Sequence, residues 1–504
     1  MTPVDPDPEP ATRQPGGALP GAAAGALVFA TSAAVLVLEI LAGRLLAPYV
    51  GVTLETTTGI IGVVLAAISG GTWAGGRLAD ATDPRRVVGP LLMGGGAAAL
   101  LVVPVVRALG PSADGSAASI VIVAAGTFFV PAALLSAVAP AVVKLQVRDL
   151  ATTGTTVGRL SALGTAGALV GTFVTGFLLV SSSPVRLIVT GLGLLTVAVG
   201  AILTVTLGRR RPAGTMAMAL AVGLVGSSLA LLVPERCPDT SVYYCARVER
   251  DPLRPSGRVL RLDTLRHSYV DLADPNHLEF SYTRSFAAVI GGAAPGPLRA
   301  LHIGGGGFTM PRWLAAARPG STSLVLELDP ALVGLARREL GLRTGPELQV
   351  SEGDGRLGIA GQRDGAFDLV VGDAFGSLAI PWHLATREMV AEVRRVLRPG
   401  GTYVLNVIDR PPQRFVKAEA ATLAAVFQHV ALVATGAEAA GEAGGNHVLV
   451  ASDDPIDVAG LGRRLARRDD PQVVVAGADL NRFVGAAEVL TDDFAPVDQL
   501  LEQP

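Results

Sequence analysis

Charged residues are scarce in the first half of this 504-residue chain. Between residues 22 and 233 they occur only in short clusters, whereas 234–504 is ordinarily polar, and 50% of the whole chain is hydrophobic. That balance is unusual for a protein that lies wholly in water. The 41 basic and 43 acidic residues nearly cancel, and a net charge of −2 provides no basic field for nucleic acid. We therefore expect no nucleic-acid partner.

Seven long apolar stretches fill this first half. They lie near 22–43, 57–76, 87–106, 117–143, 160–180, 187–207 and 213–233. Each reaches the roughly 20 residues that a helix needs to cross a bilayer. The first is too long, and too far from the initiator Met, for an ordinary cleaved signal. A buried helix could mimic one such stretch but not seven in succession. They predict a multi-pass domain of about seven spans in the cell membrane, with the lipid bilayer as its partner.

The composition divides the chain into four parts. We expect a disordered tail at 1–20, a transmembrane helical domain at 21–233, a small β-rich lobe at 234–298 and a Rossmann-like domain at 299–504. Basic residues cluster in the second, fourth and sixth loops of the membrane domain, and such loops are usually cytoplasmic. With seven spans, the polar half would then lie outside the cytoplasm. That side is awkward for an enzyme that uses a nucleoside cofactor, so the orientation stays open.

Cysteine is also scarce. The two cysteines, Cys237 and Cys245, follow the last apolar stretch. A disulfide between them would suit an oxidising compartment, and two unpaired thiols are the alternative.

Strand and helix patterns alternate in the second half. Short strands are expected at 241–248, 258–262 and 267–272, and further strands at 300–303, 324–328, 348–351, 367–371, 402–407 and 447–451. Helices are expected at 310–317, 330–340, 383–396 and 415–427. The alternation predicts a mostly parallel, doubly wound α/β sheet that follows the β-lobe.

Glycines and acids follow four consecutive strands of this sheet. Gly304–Gly307 follow the first, Glu327 and Asp329 end the second, and Asp354 and Asp373 follow the third and fourth. Ligands of such sheets gather beyond the carboxyl ends of the strands. The glycines allow close approach of a nucleoside, and Glu327 is suited to its ribose hydroxyls. Asp354 is suited to an adenine amino group and Asp373 to a general base or cation anchor, with a helix N-cap as the alternative for each acid.

Several separated blocks carry a family resemblance. They are LEILAGRLLAP at 38–48, GGRLAD at 75–80, GRLSALGTAG at 158–167, SVYY at 241–244, LDTLRHS at 262–268, the glycine loop, ELD at 327–329, GDAFG at 372–376 and IPWHLAT at 380–386. In the second half they resemble the polyamine aminopropyltransferases, or spermidine synthases. From about 25 to 450 the chain is similar to the membrane-fused bacterial relatives of that family.

The resemblance implies transfer of an aminopropyl group from decarboxylated S-adenosylmethionine to a small amine such as putrescine. It implies no metal, and it allows a homodimer. Asp373 would be the catalytic base. The cofactor-binding residues would be Gly304, Gly305, Gly306, Glu327, Asp329, Asp354 and Gly355. The substrate-binding residues would be Tyr243, Tyr244, His267 and Asp263, and Tyr244 stands where the family has Gln.

Two positions depart from the family pattern. Gly307 stands where the family has an aspartate that holds the aminopropyl ammonium, and Gly376 where it has a second acid for the diamine. Two further hypotheses follow. One is a methyltransferase that uses S-adenosylmethionine itself, since an acid at 307 would favour the decarboxylated form. The other is a polyamine transporter or sensor with a regulatory nucleoside-binding domain, to which an intramembrane acid, Glu39, would contribute.

Overall fold

The computed structural model describes residues 19–50, 54–113, 116–147, 149–207, 239–241, 243–263, 265–376, 379–467 and 471–501, with isolated residues between 217 and 228. These residues form two compact units, one made mainly of residues before 235 and the other mainly of residues after it.

The first unit is helical. Its long segments are α1 Gly21–Val50, α2 Glu55–Ala81, α3 Pro84–Ser112, α4 Ala117–Gln146, α5 Leu150–Leu179 and α6 Val185–Leu207. Within the described residues, all six are long and apolar enough to cross a membrane. They account for the first six predicted spans, whereas the seventh, near 213–233, falls largely outside the described residues.

Glycine brings these helices together in three close pairs. A Cβ at Gly167 on α5 would lie 2.1 Å from the carbonyl oxygen of Phe29 on α1. One at Gly71 on α2 would lie 2.1 Å from the carbonyl oxygen of Ala133 on α4. One at Gly96 on α3 would lie 2.7 Å from a backbone oxygen of α6. Backbones that touch this closely leave no room for a side chain, as in small-residue packing between membrane helices.

The second unit contains two sheets. The smaller is antiparallel, in the order β1 Asp239–Thr240, β2 Cys245–Arg250, β3 Gly257–Leu262 and β4 Leu265–Asp271. The larger contains β5 Arg299–Ile303, β6 Thr322–Glu327, β7 Leu348–Glu352, β8 Phe367–Gly372, β9 Leu397–Asp409, β10 His429–Thr435, β11 Gly445–Ser452 and β12 Gln472–Ala476. Cys245 is disulfide-bonded, and Cys237, the other cysteine of the chain, lies outside the described residues.

Helices cover both faces of the larger sheet. They are α7 Ser281–Ile290, α8 Thr309–Ala317, α9 Pro330–Glu339, α10 Gly355–Ala360, α11 Arg387–Val396, α12 Arg414–Ala424, α13 Gly436–Ala439, α14 Val458–Ala466, α15 Ala478–Val484 and α16 Val497–Leu501. Adjacent strand residues point to opposite faces. Val370 therefore packs in the core beneath α11 and α12, and its neighbour Val371 packs beneath α7 and α8. Burial on both faces explains why these strands are continuous apolar runs.

The strand order is β12–β10–β11–β9–β8–β5–β6–β7. The five strands from β9 to β7 are parallel, as predicted. The other three pair antiparallel, and two of them, β10 and β12, are absent from the prediction. The helix predicted at 383–396 is also too long, because a 3-10 turn at Trp382–Leu384 precedes α11.

Candidate functional site

The site lies where the chain reverses direction across the sheet. From β5 the chain proceeds to β6 and β7 on one side, and then returns to β8 on the other side of β5. The loops after β5 and β8 therefore meet, at the position where doubly wound sheets bind ligands. Gly304 has φ of +93°, which favours glycine, and a Cβ there would lie 2.4 Å from the carbonyl oxygen of Asp373. The glycine loop thus packs directly on the backbone of Asp373.

A cavity of about 200 Å³ opens at this junction. Most of the predicted site residues line it, namely Tyr243, Tyr244, His267, Gly304, Gly305, Gly306, Glu327, Asp354, Gly355 and Asp373. Its other lining residues include His383, Phe375, Gly376 and Pro381. Two predicted residues, Asp263 and Asp329, are not among them. The fold thus gathers residues from between Tyr243 and Leu384 around one space.

Glu327 fastens the glycine loop. Its Oε2 accepts hydrogen bonds from the backbone N–H groups of Gly305 (2.8 Å) and Gly306 (3.1 Å). Its Oε1 accepts one from the backbone N–H of Asp329 (2.9 Å). Burial raises the pKa of Glu327, and these three donors oppose that rise. A carboxylate has about four lone-pair sites, so one site remains for a ribose hydroxyl.

Two of the predicted acids are helix N-caps. Asp329 accepts from the backbone N–H of Ala331 at the start of α9, and Asp354 from two backbone N–H groups at the start of α10. Asp329 is buried and does not line the cavity. Its position is explained by its role as the N-cap of α9. Asp354 differs, because its Oδ2 lies 2.9 Å from His383 Nε2 inside the cavity. Although burial opposes it, these hydrogen bonds and His383 lower the pKa of Asp354.

Asp373 is held by two neutral donors. Asn406 Nδ2 donates to its Oδ1 at 2.9 Å, and the Tyr282 hydroxyl donates to its Oδ2 at 3.1 Å. Burial raises the pKa of Asp373 to about 6, against the opposing effect of the two hydrogen bonds. The carboxyl group is therefore mostly ionised at pH 7 and binds a proton readily below pH 6. Such a group is suited to proton transfer near neutral pH.

The residues predicted on the substrate side have different surroundings. Tyr244 donates its hydroxyl to the carbonyl oxygen of Phe375 (2.8 Å), and Tyr243 is 40% exposed. Burial lowers the pKa of His267 to about 4, so its imidazole is neutral at pH 7. Asp263 is buried at the end of β3 and accepts from the backbone N–H of Cys245 (3.0 Å). Its carboxylate thus connects β2 and β3, and the prediction that it binds substrate finds no support in its position.

Three residues of the site are absent from the sequence prediction. Tyr282 and Asn406 hold Asp373, and His383 holds Asp354. Tyr282 lies on α7 and Asn406 on β9, far from Asp373 along the chain, and neither follows a predicted strand. His383 falls within a block that carries the family resemblance. Its polar side chain beside Trp382 was the sequence signal that could have identified it as a site residue. Within the described ranges, no group of three or more His, Cys, Asp or Glu residues is arranged to hold a metal ion.

The two departures from the family pattern differ in the space around them. A Cβ at Gly307 would lie 2.7 Å from Ser268 Cβ and 3.2 Å from Val270, so strand β4 occupies the place of a side chain. Among the described residues, a Cβ at Gly376 would meet Pro381 alone, at 3.8 Å, which is an ordinary contact. A side chain at 307 would therefore require strand β4 to shift, whereas a Cβ at 376 makes no close contact with the described residues.

Comparison with known proteins agrees with this geometry. A family model described as a methyltransferase domain matches residues 301–405. The polyamine aminopropyltransferase of Vibrio vulnificus is 34% identical over 135 residues, which make up 26% of this chain and 44% of that protein. The polyamine aminopropyltransferase of Chromobacterium violaceum is 29% identical over 140 residues, or 28% and 53% of the two chains. The chain thus spans about half the length of these relatives.

Among solved structures, a probable spermidine synthase from Corynebacterium glutamicum is similar, with a TM-score of 0.49 and 26% identity over 54% of this chain and 100% of that one. The sequence relatives confirm the resemblance to the polyamine aminopropyltransferases. The second unit has a Rossmann-like, methyltransferase-type fold and resembles the spermidine synthases.

Proposed function

We propose that this chain is a membrane-anchored transferase that moves an aminopropyl group from decarboxylated S-adenosylmethionine to an amine. The observation that carries the proposal is the position of Asp373. It lines the cavity next to the glycine loop, two neutral donors fix its carboxyl group, and its pKa of about 6 suits a base. Glu327 and the glycine loop would hold the nucleoside of the donor, and Asp354 with His383 would lie beside its base.

The reaction needs a base because an ammonium has no lone pair. Asp373 takes one proton from the ammonium of the acceptor, and the freed electron pair forms the new N–C bond. The donor supplies a positively charged sulfur, which leaves with the electrons of the broken C–S bond as methylthioadenosine. The proton then passes from Asp373 to solvent. No redox partner is needed, because no atom changes its oxidation state in this displacement.

A direct assay tests the proposal. The full-length protein in detergent or nanodiscs is incubated with decarboxylated S-adenosylmethionine and a panel of amines, and methylthioadenosine is measured by mass spectrometry. We expect release that depends on both substrates. A preparation that binds methylthioadenosine by calorimetry, yet releases none with any amine, would refute the proposal.

A methyltransferase is the second candidate, and the match of residues 301–405 to a methyltransferase domain favours it. S-adenosylmethionine carries an additional carboxylate. Among the described residues that line the cavity there is no Lys or Arg to pair with that group, which supports the decarboxylated donor instead. Calorimetry with the two cofactors separates the candidates, because tighter binding of S-adenosylmethionine would favour methyl transfer.

We further propose that the helical unit anchors the enzyme in the cell membrane, with the second unit on the extracytoplasmic side. The six long apolar helices support membrane insertion, and the disulfide of Cys245 supports an oxidising compartment. In intact spheroplasts, an impermeant thiol reagent should label the cysteines only after reduction. Labelling that requires permeabilisation of the cells would place the unit in the cytoplasm.

A further inference from the structure

Carboxylates in the cavity are few, and most already have partners. Among the described residues that line it, the acids are Glu327, Asp354 and Asp373. Glu327 accepts three backbone N–H groups, and Asp354 accepts two and also contacts His383. The negative charge of each is thus balanced by donors that hold the loop and the helix in place. Asp373 is the one acid of this set whose partners are neutral side chains alone.

A smaller cavity of about 20 Å³ adjoins the glycine loop and shares Asp373, among other residues, with the first. It is lined by His267, Ser268, Tyr282, Thr283, His302 and Thr309, among others, and Asp373 is the one acid among its described lining residues. Burial lowers the pKa of His267 to about 4 and that of His302 to about 3, so neither carries charge at neutral pH. Its volume suits about one water molecule.

In the proposed reaction, Asp373 acts as the base. This carboxylate receives the proton of the attacking nitrogen, so it cannot also neutralise a second ammonium on the same molecule. A buried ammonium without a carboxylate or comparable acceptors is strongly disfavoured. Apolar groups supply much of the remaining lining, including Leu262, Phe375 and Pro381. An acceptor whose remaining atoms are uncharged and largely apolar therefore fits this lining better than a dication does.

On the basis of the function proposed above, we infer that the acceptor is a monoamine, with one nitrogen to be alkylated and no second ammonium. Position 376 provides the means to reverse this preference. A Cβ there makes no close contact with the described residues, and a carboxylate at this position would add a further negative group to the lining of the cavity. Position 307 is unsuitable for such a substitution, because Ser268 and Val270 occupy the space that a side chain would need.

The test compares butylamine with putrescine, which have the same carbon chain and differ by one ammonium. Full-length protein and decarboxylated S-adenosylmethionine are used, and kcat/KM for methylthioadenosine release is measured with each amine. We expect butylamine to exceed putrescine by about tenfold or more, as one unpaired charged group implies. In Gly376→Asp the ratio should move toward putrescine by about tenfold, and in the uncharged control Gly376→Asn it should not move.

The outcomes separate the two proposals. If putrescine is the better substrate of the unmodified protein, the monoamine inference is wrong and aminopropyl transfer stands. If no amine releases methylthioadenosine, the transfer itself is refuted and the inference with it. Butylamine turnover by Gly376→Asp shows that the variant is folded, and an unchanged ratio in that active variant would also contradict the inference.

Discussion

The two units of this protein use glycine in opposite ways. In the helical unit, Gly71 and Gly167 remove side chains so that two backbones can touch. In the α/β unit, Gly304 and Gly306 have φ values of +93° and +51°, and they form a loop that lines a cavity. In the helical unit, glycine allows two helix backbones to pack in direct contact. In the α/β unit, glycine allows the backbone conformation of a loop that lines the cavity. Substitutions in the two units should therefore affect different properties, stability in one and chemistry in the other.

The largest effect is expected at Asp373, the base of the proposed reaction, whose burial disfavours its charge. Asp373→Asn should lower kcat by about 10²–10⁴-fold, the usual contribution of a general base. It should leave the melting temperature at pH 7 unchanged or higher, because the buried negative charge is removed. Methylthioadenosine release and thermal unfolding are measured on the same preparation. Loss of the fold together with activity would show that Asp373 is structural.

The helical unit should show the reverse behaviour. Gly71→Ala places a Cβ 2.1 Å from the carbonyl oxygen of Ala133, and it should destabilise this unit by about 1–3 kcal/mol through overpacking. The matched control is Gly62→Ala on the same helix, where no described residue lies within 4 Å of the added Cβ. Alanine favours helix over glycine by about 1 kcal/mol, so the control should be neutral or stabilising. Thermal unfolding in detergent measures both variants, and equal effects would contradict the close pairing of α2 and α4.

A smaller effect is expected at Tyr282. Its hydroxyl group donates to Asp373 and so lowers the pKa of that carboxyl group. Tyr282→Phe should raise the pKa further above about 6. The ionised base is then lost at a higher pH, and the acidic limb of the kcat/KM profile should move upward by a few tenths to one pH unit, the equivalent of one hydrogen bond. A reduced rate with an unmoved profile would indicate that Tyr282 only packs against the site.

The smallest effect is expected at Glu419 on α12, a buried acid outside the cavity. Neither of its carboxyl oxygens has a hydrogen-bond partner among the described residues. Burial raises its pKa well above the ordinary value, so the stability of the protonated form is lost as pH rises. Glu419→Gln should match the unmodified protein at pH 5 and melt about 2–4 °C higher at pH 9. An equal difference at both pH values would show that the carboxyl group does not titrate in this range.

The parallel strands of the sheet could be predicted from local sequence pattern alone. Strands such as β5 and β8 are short apolar runs that end in glycine or acid, and both signals are visible in the sequence. β10 and β12 were missed because they pair antiparallel at the end of the sheet, beyond the regular strand–helix alternation. The residues that directly follow the parallel strands could be predicted from their strand-end positions. Tyr282 and Asn406 could not, because their role depends on distances that only the fold creates.

The contact between Glu327 and the glycine loop has a thermodynamic consequence. Glycine loses more conformational freedom on ordering than any other residue, so a loop of four glycines would ordinarily oppose ligand binding through its entropy. Here the backbone N–H groups of Gly305 and Gly306 donate to the carboxylate of Glu327, a residue of the protein itself. Part of that loss of entropy therefore accompanies folding, and in the function proposed above the nucleoside would bind a loop that folding has already ordered. The affinity of a Glu327 variant would consequently report the order of the loop as well as any contact with ribose.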